Sequence, residues 1–253
     1  MKRALIIAIG SGYPDPYKLR DSLNDKDDLT ATLAAKGFAV TSIIDAQATR
    51  ANVLAGYRSM VSNANPGDSI VLAFFGHGSW FNGPYGVAQC ICPVDVFQGG
   101  LIADYELAGI LAGLKPGTTC DFINGACFSG TSTRALAAQS GSKQFTKLFV
   151  HQIPGPLKPS KKIALLKAAV PVPGMKEIAW NACRKDQLSY GGLSGGKYRG
   201  VYPLYLCWAL RAYPTYTRAQ IDAIVSQYVK AAVTGQDPQL EGTPAELAQL
   251  PFS

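Results

Sequence analysis

The sequence predicts an α/β fold, a mostly parallel sheet with helices on both faces. Three observations carry this. Short apolar runs alternate with helix-period segments through the first half of the chain, the pattern of parallel strands joined by crossover helices. Two of those runs, ending at Phe75 and Asn124, are largely apolar rather than alternating, as strands buried on both faces are. Each closes in small residues and one reactive side chain: Gly76-His77-Gly78-Ser79 after the first, Gly125-Ala126-Cys127 after the second. Glycine lets the chain turn sharply where a strand stops.

The elements follow in order. Arg3 to Gly10 reads as the first strand, and a Gly/Pro/Tyr loop follows to Tyr17. Leu19 to Lys36 has helical periodicity, with Leu23, Leu29 and Leu33 near one face and Gly37 as its stop. Phe38 to Ile44 is a second strand, and Thr49 caps a second helix reaching Ser62. Asn65-Pro-Gly-Asp68 is a turn into the His77 strand. Ser79 to Gly100 reads as a glycine- and aromatic-rich excursion with a small hairpin near Val87 to Pro93. Asp104 to Leu114 is a third helix, and Lys115-Pro-Gly117 turns into the Cys127 strand. The stretch from about 131 to 174 reads as a long mobile insertion with one apolar segment, Ile163 to Val172. Lys176 to Cys183 is a further strand, Gly191 to Gly200 a glycine-rich loop, and Val201–Ala212 and Arg218–Ala232 two closing helices. The tail from Gly235 to Gly242 reads as polar and extended. No repeat or linker is visible, so one domain over 1–253 is expected.

Composition narrows the function classes. The chain has 253 residues, 47% of them hydrophobic, enough to bury a core without disulfides or metal. A net charge of +7 attracts anions but names no partner. The basic residues are scattered and no aromatic-basic stripe accompanies them, so nucleic-acid binding is not expected. The first residues, Met1 to Gly10, combine a basic start with an apolar run too short for a leader and read better as a strand. No run spans a membrane. The six cysteines show no CxxC spacing, which argues against zinc. Most lie in apolar runs, as reduced core thiols do, and a cytoplasmic setting is expected.

His77 and Cys127 both fall just past the carboxyl ends of predicted strands, the edge where sites form in open parallel sheets. Together they are a thiol nucleophile and its base. The imidazole can take a proton from the thiol and return it to a leaving amine. The backbone N–H groups of Gly78 and Cys127 are candidates for an oxyanion hole. His151, the second histidine, lies in the insertion and reads as a surface residue. No third triad member is evident from spacing.

Several ordered motifs resemble the caspase-like cysteine peptidases, specifically metacaspases and their prokaryotic relatives, the orthocaspases. Leu23-Asn24-Asp25 is similar to the family's N-D-A element. Pro66 to Ser79 resembles its P-G-D…S-G-H-G-S strand. Pro93-Val-Asp95 and Leu101-Ile-Ala-Asp104 resemble its P-x-D…I-x-D-D stretch. Ala126-Cys-Phe-Ser-Gly130 resembles its nucleophile loop, and Ala182 to Gln187 its A-C-x-x-x-Q segment. The resemblance implies a caspase-like three-layer α/β/α sandwich and a His77–Cys127 dyad with Gly78 in the oxyanion hole. It implies cleavage of peptide or protein substrates after Arg or Lys, with Asp25 and Asp186 as acidic candidates for the pocket. A carboxylate there would pair with a guanidinium in two-pronged fashion. The bland reading of Asp25 is a charge favoured by a helix start.

Three departures stand out. The family's acid two before the cysteine is Gly125, its serine two before the histidine is Phe75, and Phe128 follows the cysteine. Asp95 and Asp104 match positions that hold calcium in many relatives, but Ala103 replaces one acid, and calcium prefers six to eight oxygens. No required cofactor is expected, and calcium activation is the less favoured alternative. The resemblance also suggests self-cleavage after one of Lys143, Lys147, Lys158, Lys161, Lys162 or Lys167. The expected protein is thus a prokaryotic or otherwise microbial, cytoplasmic cysteine endopeptidase. The rival is a catalytically weak caspase-fold interaction or regulatory protein, against which the intact dyad argues. A flavodoxin-like binding domain would need a more glycine-rich loop than Ser11 to Pro16.

Overall fold

A computed structural model describes residues 1–83, 86–126, 145–146, 177–184 and 187–253. Cys127, Asp186, His151, the insertion's lysines and the Ile163–Val172 segment lie outside them.

The first half of the chain follows the expected alternation: β1 (Lys2–Ala8), α1 (Ser22–Ala34), β2 (Ala39–Ile44), α2 (Arg50–Ser62) and β3 (Ser69–Phe75). A small antiparallel sheet interrupts it, made of β4 (Gly78–Gly83), β5 (Gly86–Ile91) and β6 (Ile102–Ala103). Then come α3 (Asp104–Leu111) and β7 (Thr119–Asn124). After the long insertion, in which β8 (Phe145–Thr146) is described, the chain forms β9 (Ile178–Asn181), β10 (Tyr190–Ser194), β11 (Lys197–Gly200), α4 (Val201–Ala212), α5 (Arg218–Ala232), β12 (Gln239–Glu241) and α6 (Pro244–Leu247).

The main sheet has the order β12-β9-β7-β3-β1-β2. All its pairs are parallel except β12 on β9. Two apolar layers flank it. On one face Val53, Leu54, Tyr57 and Val61 of α2 and Leu107 and Leu111 of α3 pack on Leu5, Ile7, Leu72, Phe74 and Phe122. On the other, Leu29 and Leu33 of α1 join Leu206 and Leu210 of α4 and Ile221, Val225 and Val229 of α5 over Ala4, Ile6, Ala73 and Ile123. This is a three-layer α/β/α sandwich. The period-2 alternation of each strand explains it: both faces of β1, β3 and β7 are apolar and both are covered.

Local signals explain most boundaries. Thr49 caps α2 as expected, its hydroxyl accepting from Asn52 N at 3.3 Å. The Asn65 turn closes through Asp68 N to Asn65 O, 2.9 Å. At the amino end of β3, Ser69 holds both ends of the chain: its N–H donates to Met1 O at 2.9 Å and its hydroxyl to Phe252 O at 3.1 Å.

The hairpin expected near Val87 to Pro93 is β5 on β4, and its pairing starts at Gly78 opposite Ile91. Two expectations are corrected. The Gly191–Gly200 stretch is a hairpin rather than a loop. Its turn residues, Gly195 and Gly196, have φ +55° and +76°, and two successive positive-φ residues suit the tight turn whose twist matches a hairpin. The polar tail adds β12 to the exposed edge of β9, where unpaired backbone groups accept a strand whatever its side chains.

Candidate active site

β1 runs to β2 on one side and β3 lies on its other side. The crevice at their carboxyl ends is therefore the topological switch point, where open α/β sheets bind ligands. The loop after β1 and His77 after β3 meet there.

His77 is 3% exposed and held at three points. Its backbone N–H donates to Tyr13 Oη at 3.2 Å. Its carbonyl accepts from Cys92 N at 3.0 Å. Its ring Nε2 lies 2.7 Å from the Tyr17 carbonyl. A carbonyl can only accept, so Nε2 carries the proton and Nδ1 is the basic nitrogen of the neutral ring. The Tyr17 carbonyl is thus the orienting group that the spacing of side chains could not reveal, because it is main chain. Tyr13 is also 1% exposed, packs its ring 4.8 Å from the imidazole, and donates its hydroxyl to Cys92 O. Burial pushes its phenol well above the usual range, so it stays a donor. Gly76 makes this approach possible: a Cβ there would lie 2.8 Å from Tyr13 Oη and from Phe74 Cζ.

Cys127 lies outside the described residues, but the chain leading to it is fixed. Gly125 N donates to Phe74 O at 2.9 Å, on the neighbouring strand. Ala126 is wholly buried, its N–H on Asn124 Oδ1 at 2.9 Å. Ser189 Oγ donates to Gly125 O at 3.1 Å. The five described cysteines are buried thiols. Burial pushes Cys120 well up and Cys207 up to about 12, which makes both inert as nucleophiles near neutrality.

Asp25 sits in the first turn of α1, 1% exposed, and Gly200 N at the head of α4 donates to its Oδ1 at 2.8 Å. One turn on, Asp28 pairs with Arg199 at 2.6 Å, which sets a cation near Asp25 and raises the guanidinium pKa. Asp186 is not described, but its neighbour Gln187 is: Nε2 donates to Asp237 Oδ2 at 2.6 Å and Oε1 accepts from Asp237 N at 2.8 Å. Gln236, fully buried, accepts from Tyr190 N at 3.1 Å and donates to Ala182 O at 3.0 Å. These two polar tail residues, Gln236 and Asp237, hold the late segment in place through bonds that no sequence spacing signals. Gly78 opens β4 directly after His77.

The calcium candidates are committed elsewhere. Asp95 Oδ1 accepts from Arg50 N at 2.8 Å. Asp104 accepts from Gln89 N at 3.3 Å and from Tyr105 N at 2.8 Å. Among the described residues no three His, Cys, Asp or Glu side chains gather as a metal site. Neither Asp95 nor Asp104 belongs to such a group among the described residues.

The family described as "Metacaspase, peptidase C14 domain" matches residues 2–135, more than half of the chain and a span that includes both His77 and Cys127. The chain belongs to the metacaspase family. Metacaspase-1B of Aspergillus fumigatus is 32% identical over 147 residues, covering 52% of this chain and 36% of that protein. Metacaspase-1 of Scheffersomyces stipitis is 28% identical over the same length. The chain therefore matches about a third of the length of these curated relatives. Among solved structures, a protein from Geobacter sulfurreducens superposes with TM-score 0.73 at 22% identity, covering 100% of this chain and 99% of that one. Caspase-1 from Spodoptera frugiperda superposes with TM-score 0.62 at 14% identity, covering 98% and 88%. The fold is thus caspase-like, as the motifs implied.

Two of the departures noted in the sequence, Gly125 and Phe75, lie against each other in the structure. A Cβ on Gly125 would lie 2.6 Å from Phe75 Cδ1 and 3.1 Å from Cε1. The Phe75 ring, 1% exposed, fills the place of the missing side chain. The large residue before the histidine and the absent one before the cysteine compensate each other across β3 and β7. No helix among the described residues is long and apolar enough to cross a membrane.

Proposed function

We propose that this metacaspase-family chain is a cysteine endopeptidase with a His77–Cys127 dyad that cleaves peptides after Arg or Lys. The observation that supports it best is the Nε2 to Tyr17 carbonyl bond, 2.7 Å, which leaves Nδ1 as the base. In this reading Nδ1 takes the proton of Cys127 Sγ, and the thiolate attacks the scissile carbonyl carbon. The N–H groups of Gly78 and Cys127 stabilise the oxyanion. The C–N bond then breaks, the imidazolium gives its proton to the leaving amine, and water hydrolyses the thioester with His77 as base. Asp25 supplies the charge for a basic residue before the cleaved bond, and Asp186 is the second candidate. Self-cleavage in the insertion belongs to the same reading. No step runs through calcium.

The test is turnover of peptides with Arg, Lys or Asp before the cleaved bond, with and without calcium. Cleavage after Arg or Lys that falls about 10⁴-fold in Cys127→Ala and His77→Ala is expected. Activity that persists in Cys127→Ala overturns the dyad. Cleavage after uncharged residues with the dyad intact overturns the Asp25 pocket.

A further inference from the structure

Asp45 stands apart from the dyad and from every family motif identified in the sequence. It follows β2 directly and has φ +44°, a left-handed conformation uncommon for a residue with a side chain. That turn aims its carboxylate across the sheet into the loop after β1. There Oδ1 accepts from Gly10 N at 2.8 Å and Gly12 N at 2.9 Å, and Oδ2 accepts from Ser11 Oγ at 2.6 Å. These bonds hold the carboxyl below the usual carboxylate range despite partial burial. The fit is close: a Cβ on Gly12 would lie 2.9 Å from Asp45 C and Cα. The loop closes on itself through Leu19 N to Gly10 O at 3.1 Å and Tyr17 N to Pro14 O at 2.8 Å.

Two of the three groups that hold His77 come from this loop. Tyr13 Oη accepts the His77 backbone N–H, and the Tyr17 carbonyl accepts Nε2–H. Gly10 to Gly12 are the segment from which Tyr13 leaves, and Asp45 is the carboxylate that fixes them. We infer that Asp45 is a positioning residue: by clamping Gly10 to Gly12 it sets Tyr13 and the Tyr17 carbonyl, and through them the orientation and tautomer of His77. Its importance to catalysis rests on the peptidase reading above; its hold on the imidazole does not. The arrangement is a main-chain counterpart of the carboxylate behind a catalytic histidine, with the charge one loop removed from the ring.

The experiment reads the imidazole directly. Chains labelled with ¹⁵N-histidine carry Cys127→Ala, and His151→Gln identifies the second signal. Nitrogen shifts are compared for this parent and for Asp45→Ala, Asp45→Asn and Tyr13→Phe. The parent is expected to show protonated Nε2 and bare Nδ1. Asp45→Ala is expected to mix the two tautomers and move the titration midpoint of His77. Asp45→Asn, which keeps an acceptor oxygen, is expected to recover part of the parent signal. In chains with intact Cys127, Asp45→Ala is expected to lower kcat about 10- to 100-fold with little change in KM, and to shift the pH–rate profile. A parent tautomer preserved in a folded Asp45→Ala overturns the inference. If Asp45→Ala does not fold, Asp45→Asn decides, since it removes the charge and one acceptor while keeping the side chain's shape: a tautomer and pH profile equal to the parent's overturns it. A tautomer that responds to Asp45, with no turnover from the otherwise unaltered chain that keeps Cys127, supports the positioning role and sinks the peptidase reading.

Discussion

The Phe75–Gly125 pair gives a prediction whose size follows from its geometry. Gly125→Ala places a methyl 2.6 Å from a ring carbon of a side chain that is itself 1% exposed. The ring is buried at a strand end, so the cost is that of overpacking, about 1–3 kcal/mol. Phe75→Ser alone removes a buried ring and costs about 3–5 kcal/mol. Combined, the new methyl enters space the ring has left, and the overpacking term vanishes. The double variant should therefore be more stable than the sum of the singles by about 1–3 kcal/mol. Urea denaturation of all four chains completes the cycle. Additivity to within about 0.5 kcal/mol would refute the idea that the two departures compensate. The functional form of the same experiment is Phe75→Ser with Gly125→Asp, which puts back the family's acid. It should raise the preference for Arg or Lys over an uncharged residue before the cleaved bond, measured as a ratio of kcat/KM.

Two further predictions concern α5. Arg218 and Asp121 are a wholly buried ion pair with two bonds of 3.0 Å, and Trp180 Nε1 adds a third bond to the carboxylate at 2.7 Å. Asp121→Ala strands the guanidinium and should cost about 3–5 kcal/mol in chemical denaturation, whereas Asp121→Leu with Arg218→Met should be markedly more stable than Asp121→Ala; equal stability of the two would contradict this. Asp222, also on α5, has its carboxyl pushed up to about 6 by burial, partly offset by Lys230. The folded chain then holds this proton more tightly than the unfolded one, so the group costs stability as pH rises from about 4 to about 6, by no more than about 3 kcal/mol. Asp222→Asn should gain on the parent chain in Tm across that window and hold the gain above it; a difference independent of pH would refute the assignment.

The fold was legible because its main elements carry strong local signals. The apolar runs of β3 and β7 need cover on both faces, and Thr49 marks the start of α2 with a bond the structure retains. Val201–Ala212 and Arg218–Ala232 match their expected bounds. What was missed depends on contacts distant in sequence or on backbone conformation. The strand at Gln239–Glu241 exists because β9 offers an edge. The Gly195-Gly196 pair is itself a hairpin signal, because two successive positive-φ residues close the turn between β10 and β11. Thr243-Pro244-Ala-Glu246 is a legible helix start, with Thr243 and Glu246 capping each other. At the site, His77 was evident from its glycine bracket. Its partners were not, because Tyr17 acts through its carbonyl and Asp45 through a loop 33 to 35 residues away in sequence.

Ser69 and His77 mark opposite ends of one strand. Ser69 grips Met1 and Phe252, while His77 lies eight residues further on, roughly 25 Å away along an extended chain. Whatever is attached at residue 1 or residue 253 therefore sits at the opposite end of the strands from the crevice that holds His77. A surface anchor or fluorescent reporter fused at either position would leave the crevice facing outward. A short peptide joining the two positions would bridge neighbouring points rather than cross the molecule, so new ends could be opened in the Gly195-Gly196 turn without rerouting the backbone.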